Sequence, residues 1–402
     1  MNLKRRYWFG VLAVALLGAL IPSPAAAATS VTLVASGLDS PRGVAFIDGT
    51  VMVAEAGHGS DNPADCITTP FGNTCIGNTS QISWVNTTTG AHAPLVKGFF
   101  SITLGHEGAL GVSGLSVRGG KLYAQIAGTS REVPARFAIG KEAGHLISVN
   151  TEERTWKSIA SVGDADFDYT TTFTEPNPPV CGQCPGTQEH DANPNDVLAT
   201  SHGWLVADSG SNTLTMVDKD RKTTVLYYFP WRDPNFRNFP SDEVPTCVAS
   251  TGEAVWIGTL AGHLYSFEDG KVTQVMPKDS ADQPLLSHVT GCTTGGNGKL
   301  YLVNMFGAGT FGSPNFPNGN VVVYNTESGK GSMLADAFHN PALFLPYMAK
   351  VGPDGNLWVT SGAICPADGA NPFGGGPNPC TIGATKGGRL VKLSLPSSEE
   401  NG

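Results

Sequence analysis

The chain has 402 residues, with 25 Lys+Arg against 34 Asp+Glu, and only 15% of its residues are charged. The acidic balance argues against nucleic acid as a partner, because phosphate binding needs clustered cations. Fifty glycines and 28 prolines call for many tight turns, and all-β propellers or barrels reach this length as one domain.

The first residues set the compartment. Lys4, Arg5 and Arg6 precede an apolar run from Trp8 to Ile21, and Ala25 to Ala28 supply small residues for a peptidase. This predicts a signal peptide over 1–28, cleaved after Ala28. The run ends at Pro22 and is shorter than the roughly 20 residues an anchor needs. No later segment is long and apolar enough to span a membrane, so no span is expected after cleavage. The twin-arginine route fits poorly, with Tyr7-Trp8 after the Arg5-Arg6 pair. Cleavage leaves 22 basic against 34 acidic residues, a net charge of −12. The expected location is secreted, extracellular or periplasmic, where the eight cysteines should pair.

From residue 29 to the end, one four-strand unit repeats. The first copy predicts strands over 43–46, 51–55, 81–85 and 93–96; the second over 114–117, 121–125, 144–149 and 155–160. The third covers 196–199, 204–208, 213–217 and 223–227, and the fourth 247–250, 254–258, 262–267 and 272–276. The fifth covers 291–294, 299–304, 320–324 and 331–334, while the sixth has only 348–351, 356–360 and 388–393. A lone strand over 31–35 matches the fourth strands and is expected to complete the sixth copy. The expected fold is therefore an all-β, six-bladed β-propeller of four-stranded blades over 29–402, closed by its N-terminal strand. No helix of ten or more residues with a 3.6-residue apolar period follows the signal.

Insertions fall unevenly. Turns between first and second, and between third and fourth, strands are short. The long segments 57–80, 127–143, 305–319 and 361–387 join second to third strands, and 97–112, 161–195 and 229–245 join blades. Strand alternation puts both classes on one face, which is expected to bind a small molecule, glycan or protein.

Residues just before the inner strands should line the channel mouth on that face: Arg42, Ser113, Asn195, Thr246, Thr290 and Tyr347. Slightly upstream lie His106, Glu107, His190, Asp191, Glu243 and His288. Three histidines and several carboxylates aimed at one opening would suit a divalent metal, acid–base work, or binding that titrates near pH 6 to 7. The bland alternative is that each only holds loop backbone. Glu55 and Asp208 sit in a repeated x-Ala-acid-small-Gly turn, and there a structural role is expected. The Cys181/Cys184 pair has C-x-x-C spacing but lies between Pro179 and Pro185, without the strand-to-helix setting of a redox site. The expected disulfides are Cys66–Cys75, Cys181–Cys184, Cys365–Cys380 and, by elimination, Cys247–Cys292. No nucleophile elbow, Walker loop, dinucleotide fingerprint or H-E-x-x-H stretch is present. Sequons stand at Asn78 and Asn86.

Three stretches resemble the ScyD/ScyE family. They are 37–46, with Asp39-Ser40-Pro41-Arg42; Asp191 to Pro194 followed by 205–212; and Val244 to Ala249 with 258–262. The resemblance extends over the mature chain, and Asn195-Asp196 replaces the family's usual Tyr-Gly. It implies an exported six-bladed propeller of the NHL and TolB-like kind, with some members linked to biosynthesis of scytonemin, an indole–phenol pigment. The family has no settled catalytic residues, so none is carried over, and no cofactor is expected. Two functions are carried forward: a non-catalytic binding scaffold, and a metal-dependent hydrolase or lactonase resembling gluconolactonase. The latter family holds its metal with Glu, Asn and Asp before three inner strands. Here Asn195 matches the Asn, but Arg42 and Thr246 stand where acids are expected.

Overall fold

The computed structural model describes residues 29–69, 72–104, 108–171, 190–230, 242–307, 319–372 and 378–395. The signal segment, His106, Glu107 and the Cys181/Cys184 pair lie outside the described residues.

Six antiparallel sheets form the blades of a propeller. The inner strands, lining the axis, are Pro41–Ile47, Val112–Arg118, Pro194–Ala199, Pro245–Thr251, Val289–Thr294 and Pro346–Val351. Each is followed outward by its second, third and fourth strands in chain order through the first five blades. In the sixth, Leu357–Ser361 and Gly388–Leu393 are followed by Val31–Leu38 as the outermost strand, in register from Val31↔Leu393 to Leu38↔Gly388. Closure by the N-terminal strand is thus as the sequence predicts. It covers the edge that the three-stranded last blade would otherwise leave open.

The apolar residues meet between blades. Leu205, Leu214, Phe229, Val248, Ile257 and Tyr265 form the wedge between the third and fourth. Val44, Val51, Val53, Trp358 and Leu390 form the one between the sixth and first. Each fully buried Val or Leu contributes about 1.5–3 kcal/mol. Inner strands approach closely at one repeated position. A Cβ on Gly43 would lie 2.4 Å from the Ser113 carbonyl oxygen, and one on Gly114 2.7 Å from the Asp196 Cα. Cys247 and Cys292 bridge two such strands with Cα atoms 5.6 Å apart, inside disulfide range. Closing that loop contributes roughly 4 kcal/mol in the chain-entropy picture. Cys66–Cys75 and Cys365–Cys380 also pair as expected.

Two elements differ from the sequence reading. In the first blade the third and fourth strands run on as a ribbon, Gly72–Val85 against His92–Leu104, through segments read as loops. Between the second and third blades stands a ten-residue helix, Val162–Thr171. Its buried residues include Val162, Asp166 and Thr170, a mostly polar face that carries no apolar period. Among the described residues, no helix is long and apolar enough to cross a membrane.

Candidate functional site

The face where the inner strands begin is built on one turn repeated six times. The first residue after each second strand donates its N–H to the carbonyl just before the inner strand. The pairs are Ala56 to Ser40, Ala127 to Gly111, Ser209 to Asn193, Leu260 to Val244, Met305 to His288 and Gly362 to Leu345. Proline opens four of these inner strands, where its missing N–H costs no ladder bond. Ser40, Val244 and Leu345, each just before such a proline, have φ of 51°, 51° and 45°. A β-branched residue at positive φ is strained, and at Val244 this strain is held by the turn it completes. The last residue of the second strand secures the incoming chain with its side chain. Glu55 Oε2 accepts the Asp39 N–H at 2.6 Å, Asp208 Oδ1 accepts that of Asn193 at 2.8 Å, and Asn304 Oδ1 that of Ser287 at 3.3 Å. The carboxylates of Glu55 and Asp208 thus do structural work.

One residue into each inner strand lie the six mouth residues, four of them bonded to the next blade. Ser113 Oγ donates to the Pro194 carbonyl at 3.4 Å, Asn195 Nδ2 to Thr246 at 2.6 Å, Thr246 Oγ1 to Val289 at 2.6 Å, and Thr290 Oγ1 to Pro346 at 3.4 Å. Thr360 Oγ1 of the sixth blade donates to the Arg42 carbonyl of the first at 2.5 Å, and Arg42 Nη2 donates to the Ala109 carbonyl within its own sheet at 2.7 Å. One contact crosses it: Tyr347 of the sixth blade donates its hydroxyl to Asn195 Oδ1 of the third at 2.5 Å. The Arg42 guanidinium lies over the Tyr347 ring, 4.3 Å from its centroid. All six side chains are buried. At this level of the mouth a phenol, an amide and a guanidinium therefore meet.

This arrangement does not fit a hard divalent metal. Asn195 Oδ1 is committed to Tyr347, and Arg42 brings a positive charge to the place where a ligand would have to be anionic. Among the described residues, no group of three His, Cys, Asp or Glu side chains could hold a metal ion.

The remaining candidates are distributed around the face. Glu243 Oε2 pairs with His263 Nδ1 at 2.9 Å and accepts from Thr259 Oγ1 at 3.2 Å. Asp191 lies against Glu132, with Asp208 nearby; burial first, then these two charges, pushes its carboxyl up to about 8. The His190 ring meets Phe167 edge-on, with centroids 6.2 Å apart, and the His288 ring meets Phe306 at 5.1 Å. Asn195 and Tyr347 are brought together, Asp191 and Glu243 go to other partners, and His190 and His288 pack on aromatic rings.

Besides His339 with Asp336 at 2.8 Å, at the end of the fifth blade's outer strand, two histidine–carboxylate pairs emerge that the sequence reading passed over in whole or part. His58 Nδ1 bonds Asp39 Oδ2 at 2.5 Å, and that hydrogen bond, outweighing burial, raises the imidazole to about 9. His263 with Glu243 is the second pair. In both, the carboxylate is two residues before an inner-strand proline and the histidine follows the second strand of the same blade. The D-S-P and E-V-P stretches were the available signal. These pairs sit on the first and fourth blades, opposite one another, each with a buried or nearly buried carboxylate and an accessible imidazole.

No protein-family profile and no curated protein matches this sequence. Solved structures do resemble it. A protein of unknown function from Bacteroides thetaiotaomicron aligns over 91% of this chain and 76% of its own, at 11% identity and a TM-score of 0.52. A gluconolactonase candidate aligns over 92% of each chain at 11% identity and a TM-score of 0.47. Virginiamycin B lyase from Staphylococcus aureus aligns over 92% of this chain and all of its own at 11% identity, with a TM-score of 0.38. At such identities the likeness speaks for the propeller fold alone.

Proposed function

We propose that this protein is an exported, non-catalytic binding propeller that takes its ligand on the loop-bearing face, above the mouth. The observation that carries this reading is the Arg42–Tyr347–Asn195 contact, which commits Asn195 Oδ1 to a protein hydroxyl and sets a guanidinium beside it. The pairs His58–Asp39 and His263–Glu243 are the polar groups proposed to meet the ligand. With Nδ1–H given to the carboxylate, the outer nitrogen of a neutral imidazole accepts from a ligand hydroxyl. That of a protonated one such as His58, raised to about 9, donates to hydroxyl-rich or anionic ligands. A small molecule, glycan or protein loop remains the expected class, and a place in scytonemin-type metabolism is part of the proposal through the ScyD/ScyE resemblance. The three disulfides and the absence of a membrane-spanning helix among the described residues agree with an extracellular or periplasmic location.

The test is a binding panel of acidic and neutral oligosaccharides and of indole- and phenol-bearing small molecules. Wild type is compared with His58→Gln, His263→Gln and the peripheral control His339→Gln. At least one probe class should bind, weakened five-fold or more by one of the first two variants and unchanged in the control. Calcium-dependent hydrolysis of a lactone by the wild type would overturn the reading in favour of the hydrolase.

A further inference from the structure

Among the described residues, Arg389 is the one cation with buried side-chain donors that lack an acceptor. It opens the third strand of the sixth blade, beneath the loop closed by Cys365–Cys380, and its relative exposure is 0%. Nη2 donates to the Pro379 carbonyl at 3.2 Å, while Nε and Nη1 are buried with no acceptor among the described residues. Burial lowers the guanidinium to about 10, and among the described residues no carboxylate acts on it. A buried cation with unsatisfied donors is costly and calls for a counter-charge.

The repeat shows what is missing. Arg389 lies opposite Ser361, the last residue of the second strand. In the first blade the same cross-strand position pairs Gln81 with Glu55, and Gln81 Nε2 donates to the Glu55 carboxylate at 2.8 Å. In the fifth it pairs Asn304 with Asn320, whose amides bond at 2.8 Å. Ser361 is too short to follow suit, and its hydroxyl is given to the Phe344 carbonyl at 2.6 Å. In the fifth the second-strand Asn304 is the donor, so the comparison is with the first blade: the sixth keeps its donor side and lacks the carboxylate that accepts there.

We propose that Arg389 anchors a small-anion site under the Cys365–Cys380 loop, in which an external monovalent anion takes the place that the Glu55 carboxylate fills in the first blade. The ligand chemistry is that of chloride or a short carboxylate such as formate. The site is structural and uses neither the His58 nor the His263 pair, joining the closing blade to its loop by charge.

The experiment uses the mature protein in sodium gluconate at constant ionic strength, with chloride or formate exchanged in and the melting temperature followed. A ligand that binds only the folded state raises it saturably, here by roughly 3 °C. The anion that does so identifies the source. Ser361→Glu, which supplies a carboxylate from within, should abolish that dependence, and so should Arg389→Gln. Should either variant fail to fold, bromide-soaked wild-type crystals decide, with an anomalous peak expected beside the Arg389 guanidinium. A melting temperature indifferent to both anions, or crystals without that peak, would overturn the proposal.

Discussion

The first and third blades end their second strands with an acid in the same turn, yet Glu55 and Asp208 live in different surroundings. Both oxygens of Glu55 accept: Oε2 from the Asp39 N–H, and Oε1 from Gln81 Nε2 and Ser83 Oγ at 2.8 and 2.5 Å. Asp208 gathers its donors on one oxygen. Oδ1 accepts from the N–H groups of Asn193, Gly210 and Ser211 at 2.8, 2.9 and 3.0 Å, and Oδ2 is buried facing the acid Asp166. Asp166 is itself fully buried, receives Thr215 Oγ1 at 2.8 Å, and is driven well above the usual carboxyl range by burial and by Asp208. A proton on Asp166, shared toward Asp208 Oδ2, accounts for an oxygen that otherwise has no donor. The same turn thus holds a carboxylate among donors in one blade and a carboxyl–carboxylate pair in another.

The largest consequence is with pH. Burial raises Asp196 to about 7, and Asp191 reaches about 8. An acid whose folded pKa is raised contributes stability that is complete below its unfolded pKa, near 4, and is lost as pH climbs through the folded value. Wild-type unfolding free energy should therefore fall between pH 5 and 9, by on the order of 3 kcal/mol once the partial exposure of Asp191 is allowed for. Asp191→Asn should remove much of that slope in urea titrations at the two pH values. A slope unaltered by that change would assign the pH response elsewhere.

Next in size is the amide exchange at the two equivalent acids. Glu55→Gln must turn an NH2 group toward buried donors and should cost about 1–3 kcal/mol. Asp208→Asn keeps an oxygen for the three N–H groups and offers its NH2 to Asp166, so it should stay within about 0.5 kcal/mol of wild type at pH 7 and gain on it at pH 9. Equal losses in the two variants, read from urea midpoints, would erase the distinction between the blades. Smallest is Tyr347→Phe, which leaves Asn195 Oδ1 buried without its hydroxyl and should lower stability by about 1 kcal/mol. A neutral outcome would mean that the bond across the mouth does not strengthen the ring.

Much of this architecture could be read from the chain, and the exceptions have physical causes. Alternating apolar residues and glycine turns gave away the blades, and the short last copy pointed to Val31–Leu38 as its partner. The ribbon of the first blade was missed because 72–80 is rich in Gly, Asn and Thr, and only Ile76, 1% exposed, carries its core contact. The helix Val162–Thr171 was missed because Asp166 and Thr170 occupy its buried side. At the mouth, the six residues expected just before the inner strands are each the second residue of one, and proximity in a repeat does not say which side chains bond. Tyr347 reaches Asn195 across 152 residues of sequence. His58 and Asp39 are 19 apart and joined only once the turn brings both to one face.

The central claim is that protein side chains, and not a metal, meet at the mouth. Calorimetric titration of the mature, chelator-treated protein with calcium tests it most directly, run beside an Arg42→Glu/Thr246→Asp double variant that restores acids at the two departing positions. The account predicts no calcium uptake at the mouth by the wild type and new binding in the double variant. Stoichiometric uptake by the wild type that is lost on Asn195→Ala would contradict it.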